Sequence, residues 1–424
     1  MALHNKILLG LVLGAVAGVT VNLMMGGGPG VQWFVGNITE PIGRVWLNGL
    51  IMVVIPLVLS TLALGVAGLG SVTRLGKIGG ITLLSFLGLT TLAASLGLTL
   101  VNLIRPGSRL DETIRVGLME AYKGQSDQAM GLAQGGLSIN TFVNIVPRNP
   151  IAAMANGEML AVIFMALMLG IALTRLTKTR AQPMLSFLDS LAHVTIQIID
   201  IVMKFAPWAV ACLIFSVTAR FGFDLLFSLA TYVITVLLGL SIFMVVIYAL
   251  ILKFVVGVPP LDFFRKARVV ILTAFSTSSS NATLPTTLRV TEERLGVPNE
   301  IAGFVVPLGA TTNMNGTALF EGVTVLFVAQ VFGVTLTFGQ QVVVVLMSVL
   351  VAIGAAGVPG GSIPLLMMVL GMVGVPMEGI AIVLGVDRIL DMCRTTVNVA
   401  GDMITAKIVH KYAGFEGGTS IIES

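Results

Sequence analysis

The chain has 424 residues, of which 56% are hydrophobic and only 10% charged, with a formal net charge of +4. A soluble chain carries roughly a quarter of its residues charged, so water is excluded as the main solvent of this one. Continuous apolar runs at 7–25, 47–69, 81–104, 159–173, 225–252 and 342–356 also exclude a transmembrane β-barrel, whose strands alternate in polarity.

About 20 apolar residues cross roughly 30 Å of hydrocarbon, and several of these runs are that long. The pattern predicts spans at 5–25, 44–70, 78–104, 141–175, 188–219 and 225–256. The segment 26–43, with its GGGPG, and the segment 105–140, with proline, glycine and several charges, read as extracellular loops. Arg74 and Lys77, then Arg175, Lys178 and Arg180, then Lys253, Arg265, Lys266 and Arg268 collect in the connections on the other side. The positive-inside rule makes those connections cytoplasmic and puts both termini inside. The positive charge is therefore topology and not affinity for nucleic acid. The first span has one flanking Lys6 and no small-residue cleavage site, so it reads as an anchor and not a removable signal.

Cys212 and Cys393 both lie in apolar segments, and His4, His193 and His410 are scattered. Neither set has metal-ligand spacing. An intramembrane serine hydrolase built on the serines near 278 would need a local base. No His or Lys lies in the last two spans before Lys407.

After residue 257 the pattern changes. Residues 260–292 and 338–373 are apolar at both ends and polar or glycine-rich in the middle, where they read FSTSSSNATLP (275–285) and GAAGVPGG (354–361). Each is too interrupted to cross once as a clean helix, and each could enter the membrane, turn and leave on the same side. Non-helical backbone at that depth is tolerated only inside protein or against a watery cavity. Each hairpin is followed by an apolar helix carrying a polar cluster: NMNGT (313–317), then DRILDMCRTTVNVAGD (387–402). Interrupted segments in corresponding halves are the sequence pointer to a transporter site near the midplane.

In the last span Asp387, Asp391, Arg394, Asn398 and Asp402 are spaced 4, 3, 4 and 4. At 100° per residue they fall within about 80° of one face. A charge at the bilayer centre costs at least about 2.5–3.5 kcal/mol, so this stripe must be paired or must await a ligand. An internal bridge such as Asp391 with Arg394 would account for part of it. It leaves Asp402, for which a cation from solution is the better partner. In NMNGT, Gly316 weakens the helix and bares carbonyls. Neutral oxygens with one carboxylate suit a small hard monovalent cation, not zinc or copper. At the first hairpin tip, short residues leave backbone N–H groups free. A helix N-terminus there would attract an anion such as an amino acid α-carboxylate.

TSSSNATLP, PLGATTNMNGTAL, AAGVPGGS and DRILDMCRTTVNVAGD occur in the order and at the intervals of the glutamate transporter family, the dicarboxylate/amino acid:cation symporters, which the chain resembles over nearly its whole length. The midplane-site rule was drawn partly from an archaeal member of this family, so it adds no independent support. The resemblance implies an all-α polytopic membrane protein with eight transmembrane helices, two re-entrant helical hairpins, inverted repeats and elevator-type transport. It implies a homotrimer in the cell membrane, with residues 1–77 and 141–219 as scaffold, 105–140 as extracellular loop, and 78–104 and 220–424 as the transport domain.

Carried over residue by residue, the site resembles the acidic amino acid type. Arg394 would clasp the side-chain carboxylate and Asp391 the α-ammonium. Asn398 and the backbone of Ser278, Ser279 and Ser280 would hold the α-carboxylate, with Thr317, Val358, Ser362 and Thr395 completing the pocket. One sodium would use Gly309, Asn313, Asn398 and Asp402, and a second Thr311, Ala352, Ile353 and Ala355. The chain also departs from the family. Asn315 replaces the aspartate of the sodium-coupled motif, and Phe86, Leu89 and Thr90 replace the tyrosine, threonine and serine of a third sodium site. That site is expected to be lost, with a proton on Glu321 as the replacement. The arginine that other members place at Ser278 or Met392 is missing from both positions. The expected function is symport of aspartate or glutamate with sodium, protons or both, not an enzyme activity. A C4-dicarboxylate carrier, a neutral amino acid carrier and an anion channel stand as alternatives. Asp391 argues against the first and Arg394 against the second.

Overall fold

The computed structural model describes residues 3–26, 28–74, 76–108, 146–156, 158–221, 224–354 and 361–413. All regular elements among them are helical. The first, α1 (Leu3–Met25), ends before Gly28, and Pro29 opens α2 (Pro29–Phe34). A π-helical turn (Val35–Thr39) leads into α3 (Glu40–Ile51) and α4 (Val54–Arg74). Residues 29–43 are therefore helical and not the loop expected there, and one apolar helix runs over Pro29–Ala67. Proline at the first helical position is pre-set for the turn. Glu40, the charge that breaks the apolar pattern, is neutralised by Arg44 at 2.6 Å and Arg220 at 3.1 Å.

The third span, α5 (Lys77–Ile104), ends at Arg105 in the left-handed region, φ 50°. Most of the segment expected as an extracellular loop lies outside the described residues, as do residues 141–145 of the fourth expected span. The rest of that span is two helices, α6 (Pro150–Ala155) and α7 (Met159–Arg175). The span expected at 188–219 starts ten residues earlier and is broken: α8 (Lys178–Met203) and α9 (Ala206–Phe221) meet at Lys204 and Phe205, just before Pro207. The next, α10 (Asp224–Ile242), continues through two π-helical stretches, Phe243–Ile247 and Ile251–Val256, to Gly257 at φ 81°.

Residues 260–292 form the expected helix–turn–helix, α11 (Pro260–Thr277) and α12 (Ser280–Glu293), packed on each other. The next element is interrupted: α13 (Asn299–Thr312) stops at Asn313 and α14 (Asn315–Val331) restarts after Met314, so NMNGT sits in a break between two half-helices. The second hairpin supplies α15 (Phe338–Gly354) and α16 (Ile363–Met372), which touch; residues 355–360 at its centre lie outside the described residues. The final helix is α17 (Ala381–Ala413).

Among the described residues six helices are long and apolar enough to cross a membrane. Their packing falls into two groups. α1 lies along α9, and α4 along α7 and α8. α14 lies along α5 and α17, and α17 also takes α11 and α13. The most apolar stretch of the span Asn299–Val331 is almost wholly buried, whereas that of Lys178–Met203 is mostly exposed. The polar break is thus at the centre of the fold, while α8 and its neighbours present apolar side chains such as Phe187, Val194 and Trp208 outward, the surface lipid or another subunit would cover.

Candidate functional site

Among the described residues, two chain interruptions and one continuous helix build the site. At the first hairpin tip Ser278 takes φ 51°, a left-handed conformation that short polar residues tolerate best. Ser279 caps α12 by accepting from the Ala282 N–H at 3.1 Å. Only one of the orphan N–H groups of that helix start is met in this way. Ser278, Ser279 and Ser280 are all buried, and the Ser278 hydroxyl has no hydrogen-bond partner.

At the second interruption the N-terminus of α14 points at Asn398. The Gly316 N–H donates to Asn398 Oδ1 at 2.7 Å and the Thr317 N–H at 3.4 Å, while Asn398 Nδ2 donates to Thr317 Oγ1 at 3.2 Å. This approach depends on glycine: a β-carbon at Gly316 would lie 2.9 Å from the Arg394 Cα. Thr317 and Asn398, assigned separately in the sequence, are therefore one hydrogen-bonded unit.

The stripe on α17 is paired, more fully than the sequence suggested. Arg394 is 1% exposed. Its Nε donates to Asp391 Oδ1 at 3.0 Å and its NH1 to Asp387 Oδ1 at 2.8 Å. Its guanidinium lies 4.2 Å from the centre of the Phe320 ring. Its NH2 group has no partner among the described residues. Thr395 Oγ1 donates to the Asp391 carbonyl at 2.8 Å, so Thr395 acts within its own helix. Asp387 is the site residue that sequence reasoning left without a role; its place on the same face, seven residues before Arg394, was the available signal.

One oxygen-rich corner brings several of the expected cation ligands together. Asn313 Nδ2 donates to Asp402 Oδ1 at 2.8 Å, while Asn313 Oδ1 is buried without a hydrogen-bond partner. Gly309 lies against the same carboxylate, where a β-carbon would be 2.7 Å from its carbon. Gly309, Asn313 and Asp402 are therefore together, with Asn398 one turn away on α17. A small hard cation is what these oxygens suit. Of the second expected set, Thr311 lies on α13 and Ala352 and Ile353 lie on α15, two helices that touch. Ala355 and Val358 lie outside the described residues. Ser362 is buried at the other lip of the hairpin, its hydroxyl without a hydrogen-bond partner.

Asn315 and Thr90, two residues of the third cation site expected to be lost, are joined in a run of hydrogen bonds. Thr90 Oγ1 donates to Asn315 Oδ1 at 2.9 Å, Asn315 Nδ2 donates to the Tyr248 hydroxyl at 2.9 Å, and Tyr248 donates to the Val397 carbonyl at 2.9 Å. Phe86 and Leu89 are buried beside this element on α5. Sequence reasoning missed Tyr248, because nothing in residue spacing links α10 to α14. Glu321 is 0% exposed, neither of its oxygens has a hydrogen-bond partner, and none of the ion pairs among the described residues includes it.

Comparisons with known proteins place the chain in a family. The family model of the sodium:dicarboxylate symporter family matches residues 3–412. The chain is 36% identical over 417 residues to a proton/sodium-glutamate symport protein of Bacillus subtilis, covering 97% of this chain and 93% of the relative. It is 34% identical over 384 residues to a proton/glutamate-aspartate symporter of Escherichia coli, covering 90% and 86%. It is also 32% identical over 414 residues to a C4-dicarboxylate transport protein of Bacillus subtilis, covering 97% and 94%. A model match over nearly the whole chain and relatives above 30% identity at almost full coverage are decisive: the chain belongs to the sodium:dicarboxylate symporter family.

Proposed function

We propose that this protein is a secondary active symporter of the acidic amino acids aspartate and glutamate, driven by sodium and by protons. The observation that carries the reading is Arg394. It is a buried guanidinium fork with its NH2 edge uncommitted, beside Asp391 and the Asn398–Thr317 unit. Such a fork matches a carboxylate in two-point geometry. Substrate would place its distal carboxylate on Arg394, its ammonium on Asp391 and its α-carboxylate between Asn398 and the Ser278, Ser279 and Ser280 backbone, under Thr317, Val358, Ser362 and Thr395. Half-helix N-termini at Ser280 and Asn315 supply fixed positive ends for that charge. Sodium would travel at Gly309, Asn313, Asn398 and Asp402 and at Thr311, Ala352, Ile353 and Ala355.

In the same reading eight spans and two re-entrant hairpins, related as inverted repeats, divide into a scaffold (1–77 and 141–219) and a transport domain (78–104 and 220–424) that moves as an elevator within a homotrimer of the cell membrane, both termini cytoplasmic. The outward apolar face of α8 supports a scaffold role. The second reading is a C4-dicarboxylate carrier, favoured by the likeness to a transporter of that name. Asp391 weighs against it, because a ligand without an ammonium adds negative charge beside a buried carboxylate.

The test is uptake of labelled aspartate, glutamate, succinate and serine into proteoliposomes, with sodium and pH gradients imposed separately. Aspartate or glutamate should accumulate on an inward sodium gradient and succinate should not. Accumulation of succinate alone would replace this reading with the second. Asp391→Asn should in turn weaken aspartate binding by about thirtyfold or more, since a buried charge pair that loses one partner costs about 2–5 kcal/mol, and any residual succinate binding far less. Equal losses for both ligands would make Asp391 a structural residue held for Arg394.

A further inference from the structure

Asp391 stands between two guanidiniums, and they hold it differently. Arg394 touches it with a hydrogen bond and is fixed again by Asp387 and by the Phe320 face. On the other side Arg388 NH1 faces Asp391 Oδ2 at 3.7 Å, an ion pair too long for a hydrogen bond. The Arg388 side chain is 21% exposed, and its Nε is buried with no hydrogen-bond partner. Arg394 is built in. Arg388 faces Asp391 from one turn earlier on the same helix without a hydrogen bond to it, on a side chain long enough to swing away. No role was assigned to it from the sequence.

We propose that Arg388 is a placeholder for the substrate ammonium. In the empty protein it supplies the positive charge opposite Asp391 Oδ2; an arriving ammonium takes that oxygen and Arg388 withdraws. The inference rests on reading the site as an amino acid site. Charge arithmetic supports it. Asp387 and Asp391 against Arg388 and Arg394 sum to zero within eight residues of one helix, so these four charges compensate one another while the site is empty. A buried carboxylate stripped of one partner is strongly penalised, and an internal cation removes that penalty whenever the external one is absent. It also answers how this chain does without an arginine at Ser278 or Met392: the cation comes from one turn earlier on the last helix.

Competition gives the inference a sign that a structural role lacks. With Arg388 gone, the ammonium of aspartate no longer competes for Asp391, whereas a ligand with carboxylates alone loses a nearby positive charge. In the purified protein in sodium, Arg388→Ala should bind aspartate roughly three- to tenfold more tightly, the range of a partly exposed to half-buried ion pair. It should bind succinate more weakly by a similar factor. Arg388→Lys, which keeps the charge, should stay near wild type for both. In proteoliposomes Arg388→Ala should keep aspartate exchange while net uptake falls, because only net uptake requires the empty site to return. If Arg388→Ala does not fold, Arg388→Gln, which keeps length and N–H groups, carries the same two-ligand comparison. Parallel shifts for aspartate and succinate, or no shift for either, would overturn the placeholder while leaving the amino acid site intact. Wild-type protein that binds succinate but no aspartate would overturn both.

Discussion

Arg394→Cys should weaken aspartate and glutamate binding more than about a hundredfold, since leaving a buried charge unpaired costs about 3–5 kcal/mol. The substrate's distal carboxylate would enter a site with no guanidinium to meet it. Asp387 and Asp391, now bonded to Arg394 at 2.8 and 3.0 Å, would add two negative charges to the same cavity, with only Arg388 against them. The loss should therefore exceed that of a neutral hydrogen bond, about 0.5–1.5 kcal/mol. A small neutral amino acid such as serine should gain binding, since it brings an ammonium for Asp391 and no second carboxylate. Arg394→Lys separates charge from shape: it keeps the positive charge and gives up the fork, so its loss should be intermediate. Titration of purified protein with aspartate and serine reads all three. Unchanged aspartate affinity in Arg394→Cys removes the proposed role.

The second large effect concerns how many sodium ions move with each substrate. A sodium ion must recover its hydration from protein oxygens, and in low dielectric a carboxylate supplies most of that return. Asn315 offers an oxygen but no charge, and Thr90 already donates to it. Phe86 and Leu89 offer no side-chain oxygen. Reversal-potential measurements of aspartate flux should therefore give two sodium ions per substrate or fewer, while Asp402→Asn should abolish sodium-driven uptake by removing the carboxylate of the remaining corner. Glu321, buried and without an ion pair among the described residues, is the proposed proton carrier. Flux should depend on a pH gradient, and Glu321→Gln should erase that dependence. Three sodium ions per aspartate would sink the lost-site argument. A ratio of two with Glu321→Gln unchanged would keep the lost site and discard the proton role.

The sequence was a good guide to which segments matter and a poor one to where they end. Long apolar runs gave the spans, but Pro29 started a helix well before the run at 47, because Glu40 is neutralised by arginines from its own helix and from α9. The front of α8 was hidden for a similar reason. Lys178 and Arg180 look like loop residues, yet they sit on exposed positions of the first turn of the helix, which begins at Lys178. Periodicity did place Asp391, Arg394, Asn398 and Asp402 on one face, because i, i+4 geometry is local. Partnerships between helices carry no such signature. Tyr248 with Asn315, and Asn398 with the N–H groups of Gly316 and Thr317, bridge 67 to 82 positions of sequence. Only the packed fold brings them together. The break at Asn313 and Met314 was legible as a weakness, since Gly316 marked it, but not as a clean gap between two half-helices.

The chain of Thr90, Asn315, Tyr248 and the Val397 carbonyl also acts as a cross-brace. It ties α5, the extension of α10, α14 and α17 at one point with three neutral hydrogen bonds. An ion can tie helices too, but it comes and goes with its concentration and carries its charge wherever the helices go. Moving one charge through a membrane potential is worth about 2.3 kcal/mol per 100 mV. A brace of amide, hydroxyl and phenol contributes nothing to that work. If these four helices travel together, as proposed, they do so as one piece whether loaded or empty, and this brace adds no charge for the voltage across the membrane to act on.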